Sequence, residues 1–298
     1  MKNLITPVVI VIYHRPDHAQ KLMSALSLVK PTTIWIVADG PKDDADQLLV
    51  SETRKTVEEA ITWPCRIYPV YAGKNLGLKT RVITGLTQVF AVEENAIILE
   101  EDCLPSKSFF YYCEELLNRY IKESKVMSIS GGNYLFGEGG RVKDSYYFSK
   151  YFSAWGWATW KRAWQLYNPV LDFIKDKSVF DNLAINHQSF ASRWYWHTMA
   201  SKIISGKVND TWDYQWTLTH LFYGGISAIP AKNLVRNIGF GKGATHTKFK
   251  HKLQALETSE LAFPLTHPKS ISIRHDLDKI LERLVYLNWR SILGLLLR

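Results

Sequence analysis

Within the first hundred residues, short unbroken apolar runs alternate with segments of helical periodicity, and this alternation restricts the fold more than any other feature of the chain. "PVVIVIY" (Pro7 to Tyr13) is rich in β-branched residues and has no polar interruption, as expected of a strand covered on both faces. "RPDHAQKLMSALSLV" follows, with Leu22, Leu26 and Val29 on one helical face. "TIWIVADG" (Thr33 to Gly40) reads as a second strand, and a polar helix with Leu48, Leu49, Thr53 and Val57 comes after it. "CRIYPVY" is a third strand, "GLKTRVITGLTQVFA" a helix and "AIILEED" a fourth strand. The order β-α-β-α-β-α-β predicts an α/β fold with a mostly parallel central sheet flanked by helices.

Such sheets bind ligands beyond the carboxyl ends of their strands. Three strand ends carry distinctive groups: Tyr13-His14-Arg15, Asp39-Gly40 and Glu101-Asp102. Topology alone predicts that they converge. The third is the most unusual, because Ala96-Ile97-Ile98-Leu99 runs straight into Glu100, Glu101 and Asp102 before Cys103-Leu104-Pro105 stops the strand. Most acidic runs are solvated surface. Carboxylates crowded at a ligand-binding edge repel one another unless a cation joins them. Their hard oxygens suit Mg²⁺ or Mn²⁺, with substrate phosphates completing the coordination.

Beyond the fourth strand, "SKSFFYYCEELLNRYIKES" reads as an amphipathic helix with Phe109, Cys113, Leu116 and Tyr120 inward, and "VMSISGGNYLF" as a strand and turn. No repeat or low-complexity linker divides the 298 residues, which favours one elaborated domain. Eight of the 11 Trp lie between Trp155 and Trp216, fitting either a Trp-rich core or a surface on which sugars stack. The formal net charge is +9, and Ala231 to Lys252 holds Lys232, Arg236, Lys242, Lys248, Lys250 and Lys252 with no Asp or Glu. That charge suits an anionic partner, a phosphate group or a membrane surface. No zinc-finger spacing, basic helix repeat or RNA-binding aromatic signature supports nucleic acid.

Cys65, Cys103 and Cys113 have no metal-ligand spacing and read as reduced thiols of a cytoplasmic protein. The N-terminal apolar run is of strand length and is interrupted by His14 and Arg15, so it reads as neither leader nor membrane span. Asp276 to Arg298 reads as one terminal helix with Asp276 as N-cap. It has more apolar positions than one buried stripe needs, and Arg283, Arg290 and Arg298 are interleaved. Such a helix suits packing on the domain, dimerisation or peripheral contact with the inner face of a membrane.

"ILEEDCLPSKSFFYY" resembles the acidic metal motif of GT-A glycosyltransferases, especially the group around N-acetylglucosaminyltransferase I. In that group the acids are followed by a Pro and an aromatic-rich helix. The resemblance spans most of residues 7 to 246. "TPVVIVIYHRPDHAQKLMSAL" is similar to the opening strand and helix, and "VADGPK" to the second-strand end. "NLGLKTRVITGL" is similar to the Asn-x-Gly and basic segment, and "SAWGWATWKRAW" to the Gly-Trp segment lining the acceptor side. "WDYQW" is similar to the segment carrying the catalytic base, and "NIGFGKGATH" to the late Gly-rich stretch near the diphosphate. Glu100-Glu101-Asp102 departs from a strict Asp-x-Asp, which leaves the metal ligands and the donor open.

The resemblance implies a GT-A domain over residues 1–250, with a nucleotide-binding half (1–104), an acceptor half (105–250) and a C-terminal helical extension (251–298). It implies an inverting transferase using a nucleotide sugar, with UDP the expected nucleotide, a glycan or lipid-linked acceptor, and Mn²⁺ or Mg²⁺. Asp102 is the expected metal ligand, with His246 as a further one or as a diphosphate contact. Glu101 would be an outer contact or touch the sugar, and Glu100 could face away from both metal and sugar. Tyr13, Arg15, Asp39, Asn75, Gly77, Lys79, Arg81 and Lys242 are the expected donor contacts. Among these, Asp39 would accept from a uracil N–H, and the backbone N–H groups at the Gly77 turn would face a phosphate. The Trp155–Trp164 segment would form one acceptor wall. Asp213, an acid among aromatics, is the expected base, with Asp210 as the near alternative. Two other classes fit parts of the pattern. A sugar-1-phosphate nucleotidyltransferase would show a Gly-rich signature where this chain has "YHRPDHAQ". A non-catalytic carbohydrate-binding protein would need only the aromatics.

Overall fold

The computed structural model describes residues 3–137, 142–174, 189–240 and 252–297. The opening segment forms β1 (Val8–Ile12), α1 (Pro16–Ser27), β2 (Thr33–Ala38), α2 (Asp44–Ala60), β3 (Arg66–Tyr71), α3 (Leu78–Val92) and β4 (Asn95–Glu100), in the expected order. There follow β5 (Cys103–Pro105), α4 (Lys107–Arg119), β6 (Val126–Ser130), β7 (Tyr146–Ser149), β8 (Trp157–Trp160) and the one-turn α5 (Lys161–Trp164). The later elements are α6 (Phe190–Ile204), α7 (Asp213–Tyr223), β9 (Ile226–Pro230), β10 (Val235–Asn237), α8 (His275–Leu281) and α9 (Trp289–Leu297).

Eight strands form one sheet in the order β3-β2-β1-β4-β8-β6-β9-β7. The β1–β2, β1–β4, β2–β3 and β6–β9 ladders are parallel, whereas β8 runs antiparallel between β4 and β6. The expected class, α/β with a mostly parallel central sheet flanked by helices, is the one observed.

Alternation along β1 explains its unbroken apolar run. Val8, Ile10 and Ile12 face a core shared with Leu22 and Leu26 of α1 and Phe109, Phe110 and Leu116 of α4. Val9 and Val11 face the other side, against Val82, Leu86 and Val89 of α3. With helices on both faces, either parity of the strand is buried. Trp157, Trp164, Trp212 and Trp216 join the α3-side core, which settles most of the Trp cluster as packing.

Two local expectations differ. In α2 the buried stripe is Asp46, Val50, Thr53 and Val57, while Leu48 and Leu49 are exposed. The helix is turned so that Asp46 reaches Tyr13 and His14. The C-terminal segment is also not one helix. α8 is capped at Arg274 rather than Asp276, and a π-helical turn, Glu282–Tyr286, separates it from α9. Asn288 makes the break: its Nδ2 donates to the Leu284 and Val285 carbonyls, and its Oδ1 accepts from Ser291 N at 3.1 Å, capping α9. Leu277, Ile280, Leu281 and Leu295 share a third core with Tyr195 and Trp196 of α6.

Candidate active site

β1 and β4 lie side by side, yet the chain leaves β1 towards β2 on its other flank. At such a reversal the loops part and leave a crevice. A cleft of about 750 Å³ opens there. It is lined by the ends of β1 (Tyr13, His14, Arg15), β2 (Asp39) and β4 (Glu100, Glu101, Asp102), and by the turn into α3. The three strand ends do converge.

All three acids line the cleft, Glu100 included. The Trp212 indole N–H donates to Glu100 and draws it inward, beside Asp213. Burial pushes the Glu100 carboxyl up to about 8, and the neighbouring charges of Asp102, Asp213 and Glu101 add to the rise. Glu101 accepts from Tyr13 N at 2.7 Å. Burial nevertheless raises it to about 7, against the pull of that hydrogen bond and of Arg15. Asp102 is likewise raised by burial, opposed by Arg15. Arg15 spans the pair, with Nη1 3.4 Å from Asp102 Oδ2 and Nε 3.8 Å from Glu101 Oε1. Asn237 Nδ2 donates to Asp102 Oδ1 at 3.2 Å from β10, which pairs antiparallel with β5.

Asp39 is buried, and four donors fill its oxygens. Oδ1 accepts from Gly40 N and Leu76 N, both at 2.9 Å, and Oδ2 from Gly77 N at 3.0 Å and Asn75 Nδ2 at 3.1 Å. Its carboxylate therefore builds the turn into α3. A base N–H would have to compete with these donors, and the Leu76 and Gly77 amides are spent on Asp39 instead of facing a phosphate. Gly77 sits at φ +79, in the left-handed region that a side chain would strain.

Lys79 and Arg81 follow on the first turn of α3, and both line the cleft. Burial lowers the Lys79 ammonium pKa, and Asp210 across the cleft opposes that shift. The Arg81 guanidinium is buried, and neither Nε nor Nη2 has a hydrogen-bond partner. The Asp39 carboxylate is the opposite charge near it, and as a residue lining the cleft Arg81 adds positive charge to the site.

The sequence reading missed a cluster at the cleft edge. The Tyr13 hydroxyl donates to Asp46, and His14 Nδ1 lies 2.5 Å from the same carboxylate. The two rings stack with centroids 4.0 Å apart. The buried stripe of α2, which takes Asp46 and Val50 in place of Leu48 and Leu49, brings Asp46 there, and no local signal announces it.

The acceptor-side expectations divide. Trp155 lines the cleft, edge-on to Phe240 and Tyr134. Trp157, Trp160 and Trp164 are buried core, so the segment as a whole forms no wall. Asp210 lines the cleft; Asp213, the first residue of α7, is not among the lining residues but is near enough to Glu100 for its charge to act on it. Lys242 and His246 lie outside the described residues.

No protein-family profile and no curated protein sequence matches the chain. Among solved structures it is similar to a mannosyltransferase from Pyrobaculum calidifontis in complex with GDP-Man and Mn²⁺, at 10% identity over 75% of this chain and 70% of that one, with a TM-score of 0.38. It is also similar to the inositol-1-phosphate CTP transferase from T. maritima (12%, 86% and 96%, TM-score 0.38). A third likeness is to mouse xyloside xylosyltransferase 1 in its apo form (8%, 72% and 81%, TM-score 0.35). These are distant likenesses of architecture.

Proposed function

We propose that the chain is a GT-A-type glycosyltransferase, moving a sugar with inversion from a nucleoside-diphosphate donor, UDP being the expected nucleotide, to a glycan or lipid-linked acceptor on the cytoplasmic side. The observation that carries this reading is the meeting of Glu101 and Asp102 with Arg15, Lys79 and the buried Arg81 in one cleft at the sheet's reversal point. Hard anions beside strong cations suit a diphosphate accompanied by a divalent ion.

Among the described residues, no group of three His, Cys, Asp or Glu could by itself hold a metal ion. The donor set fits Mn²⁺ or Mg²⁺ only as one or two carboxylates, Asp102 with Glu101 beside it, completed by phosphate oxygens. When bound, such an ion would supply positive charge to the departing diphosphate. Arg81, Lys79 and Arg15 hold the phosphates and share that task. The Tyr13–His14 stack offers a flat face for the base. Asp213, or Asp210, which lines the cleft itself, takes the acceptor proton as the acceptor oxygen forms its bond to the anomeric carbon and the bond to the diphosphate breaks. Trp155 gives the acceptor an apolar face.

Incubation with UDP-sugars, Mn²⁺ and oligosaccharide acceptors should release UDP. Asp102→Asn should lose metal-dependent UDP binding. Asp213→Asn should lose transfer while keeping nucleotide affinity. Formation of UTP from pyrophosphate would replace this reading with a nucleotidyltransferase, and absence of both turnover and UDP binding would leave a non-catalytic protein.

A further inference from the structure

Two helices far apart in sequence, α6 and α9, pack against each other and bury one side each: Tyr195, Trp196, Met199 and Ile203 from α6, and Leu295 from α9. Their other sides are also apolar. On α6, Phe190 is 81% exposed and Trp194 37%; on α9, Trp289 is 68%, Leu293 46% and Leu296 58% exposed. The spacings, 190/194 and 289/293/296, make a stripe along each helix. With Ile204, these helices contribute six of the 16 large apolar side chains exposed among the described residues. That concentration goes beyond scattered surface hydrophobics.

The charges within the two sequence segments have one sign, with Asp210 and Glu282 just beyond their bounds. Residues 189–209 contain Arg193, Lys202 and Lys207, and residues 283–298 contain Arg283, Arg290 and Arg298. Neither segment has an Asp or Glu. Together they carry six formal positive charges against a net +9 for the chain. This decides between the occupants. A two-fold dimer would set the patch against itself, apposing like charges. An anionic bilayer surface complements both properties, with aromatic and Leu side chains entering the headgroup boundary and Arg and Lys facing lipid phosphates. No helix among the described residues is long and apolar enough to cross a membrane.

We infer that α6 and α9 together form a docking face for the surface of an anionic phospholipid membrane. α6 also packs on α7, the helix that begins with Asp213. The inference stands apart from the reading of the cleft, since lipid binding needs no donor.

The test is co-sedimentation of the full chain with vesicles of phosphatidylcholine alone or with about a third phosphatidylglycerol, at about 0.1 M salt. Wild type should pellet with the anionic vesicles only, and about 0.5 M salt should release most of it. Phe190→Ser/Trp289→Ser should bind about tenfold more weakly while remaining folded by circular dichroism. Arg193→Glu/Lys207→Glu, which spares every apolar contact, should weaken binding too. Failure of wild type to bind, or equal binding by all variants, overturns the inference. So does a wild-type dimer that the Ser variant converts to monomer. Vesicle binding without turnover of any nucleotide sugar would sink the reading of the cleft and leave this one standing.

Discussion

Gly239 lies against Asp102 so closely that a Cβ built on it would overlap the Asp102 carboxylate. The contact is set by the strand pairing of β10 with β5, by Ile238 N donating to Asp102 O at 2.8 Å, and by Asn237, whose Oδ1 accepts from Gly239 N at 2.7 Å. A chain segment more than a hundred residues away thus holds the acid at the mouth of the sheet. Gly239→Ala should push Asp102 aside, lowering Mn²⁺-dependent UDP affinity about tenfold or more and costing about 1–3 kcal/mol of stability. Calorimetric titration and urea unfolding read the two effects separately.

Arg81 should show opposite signs in two measurements. Its guanidinium is buried without partners for Nε and Nη2, a cost the folded chain bears in the absence of ligand. Arg81→Met removes that cost, so the thermal midpoint should hold or rise. The affinity for UDP should fall by about ten- to a hundredfold, as for loss of a charge-assisted contact. Loss of stability with unchanged affinity would make Arg81 a structural residue.

The acids at the end of β4 predict a pH dependence whose sign depends on the ligand. Without metal, Glu100 is raised to about 8 and Glu101 to about 7, in both cases chiefly by burial. At about pH 6 both carry protons and are neutral; at about pH 9 both are ionised. UDP affinity measured with a chelator should therefore fall as pH rises across that interval, while Mn²⁺ affinity should rise. Glu100→Gln should flatten the upper part of both profiles. Because these acids hold protons more tightly when folded, their contribution to stability is greatest in acid. It declines as pH rises from the ordinary carboxylate range towards 8.

The C-terminal segment is tied to the sheet by a buried ion pair. Lys150 Nζ lies 3.0 Å from Glu282 Oε1, both side chains are nearly inaccessible, and the Tyr151 hydroxyl donates to the same oxygen at 2.5 Å. Lys150→Met would leave Glu282 uncompensated and should cost about 3–5 kcal/mol in chemical unfolding. Lys150→Met/Glu282→Gln should recover a large part of that loss.

The alternation of apolar runs and helical faces determined the α/β sheet, because strand and helix periodicities are local and burial on both sides leaves an unbroken signature. It also placed Tyr13, Arg15, Asp39, Asp102 and Arg81 at ends of elements, where topology makes them meet. Tertiary structure alone decided the rest. Glu100 is held at the cleft because Trp212, just before the distant α7, offers it a hydrogen bond, and Asp39 is saturated because the turn at Asn75–Gly77 closes over it. Asp46 reaches the cleft residues Tyr13 and His14 through the rotation of α2, and Trp157, Trp160 and Trp164 sink into the core while Trp155 remains at the cleft. Such outcomes depend on contacts between side chains remote in sequence, and no periodicity within a single segment encodes them.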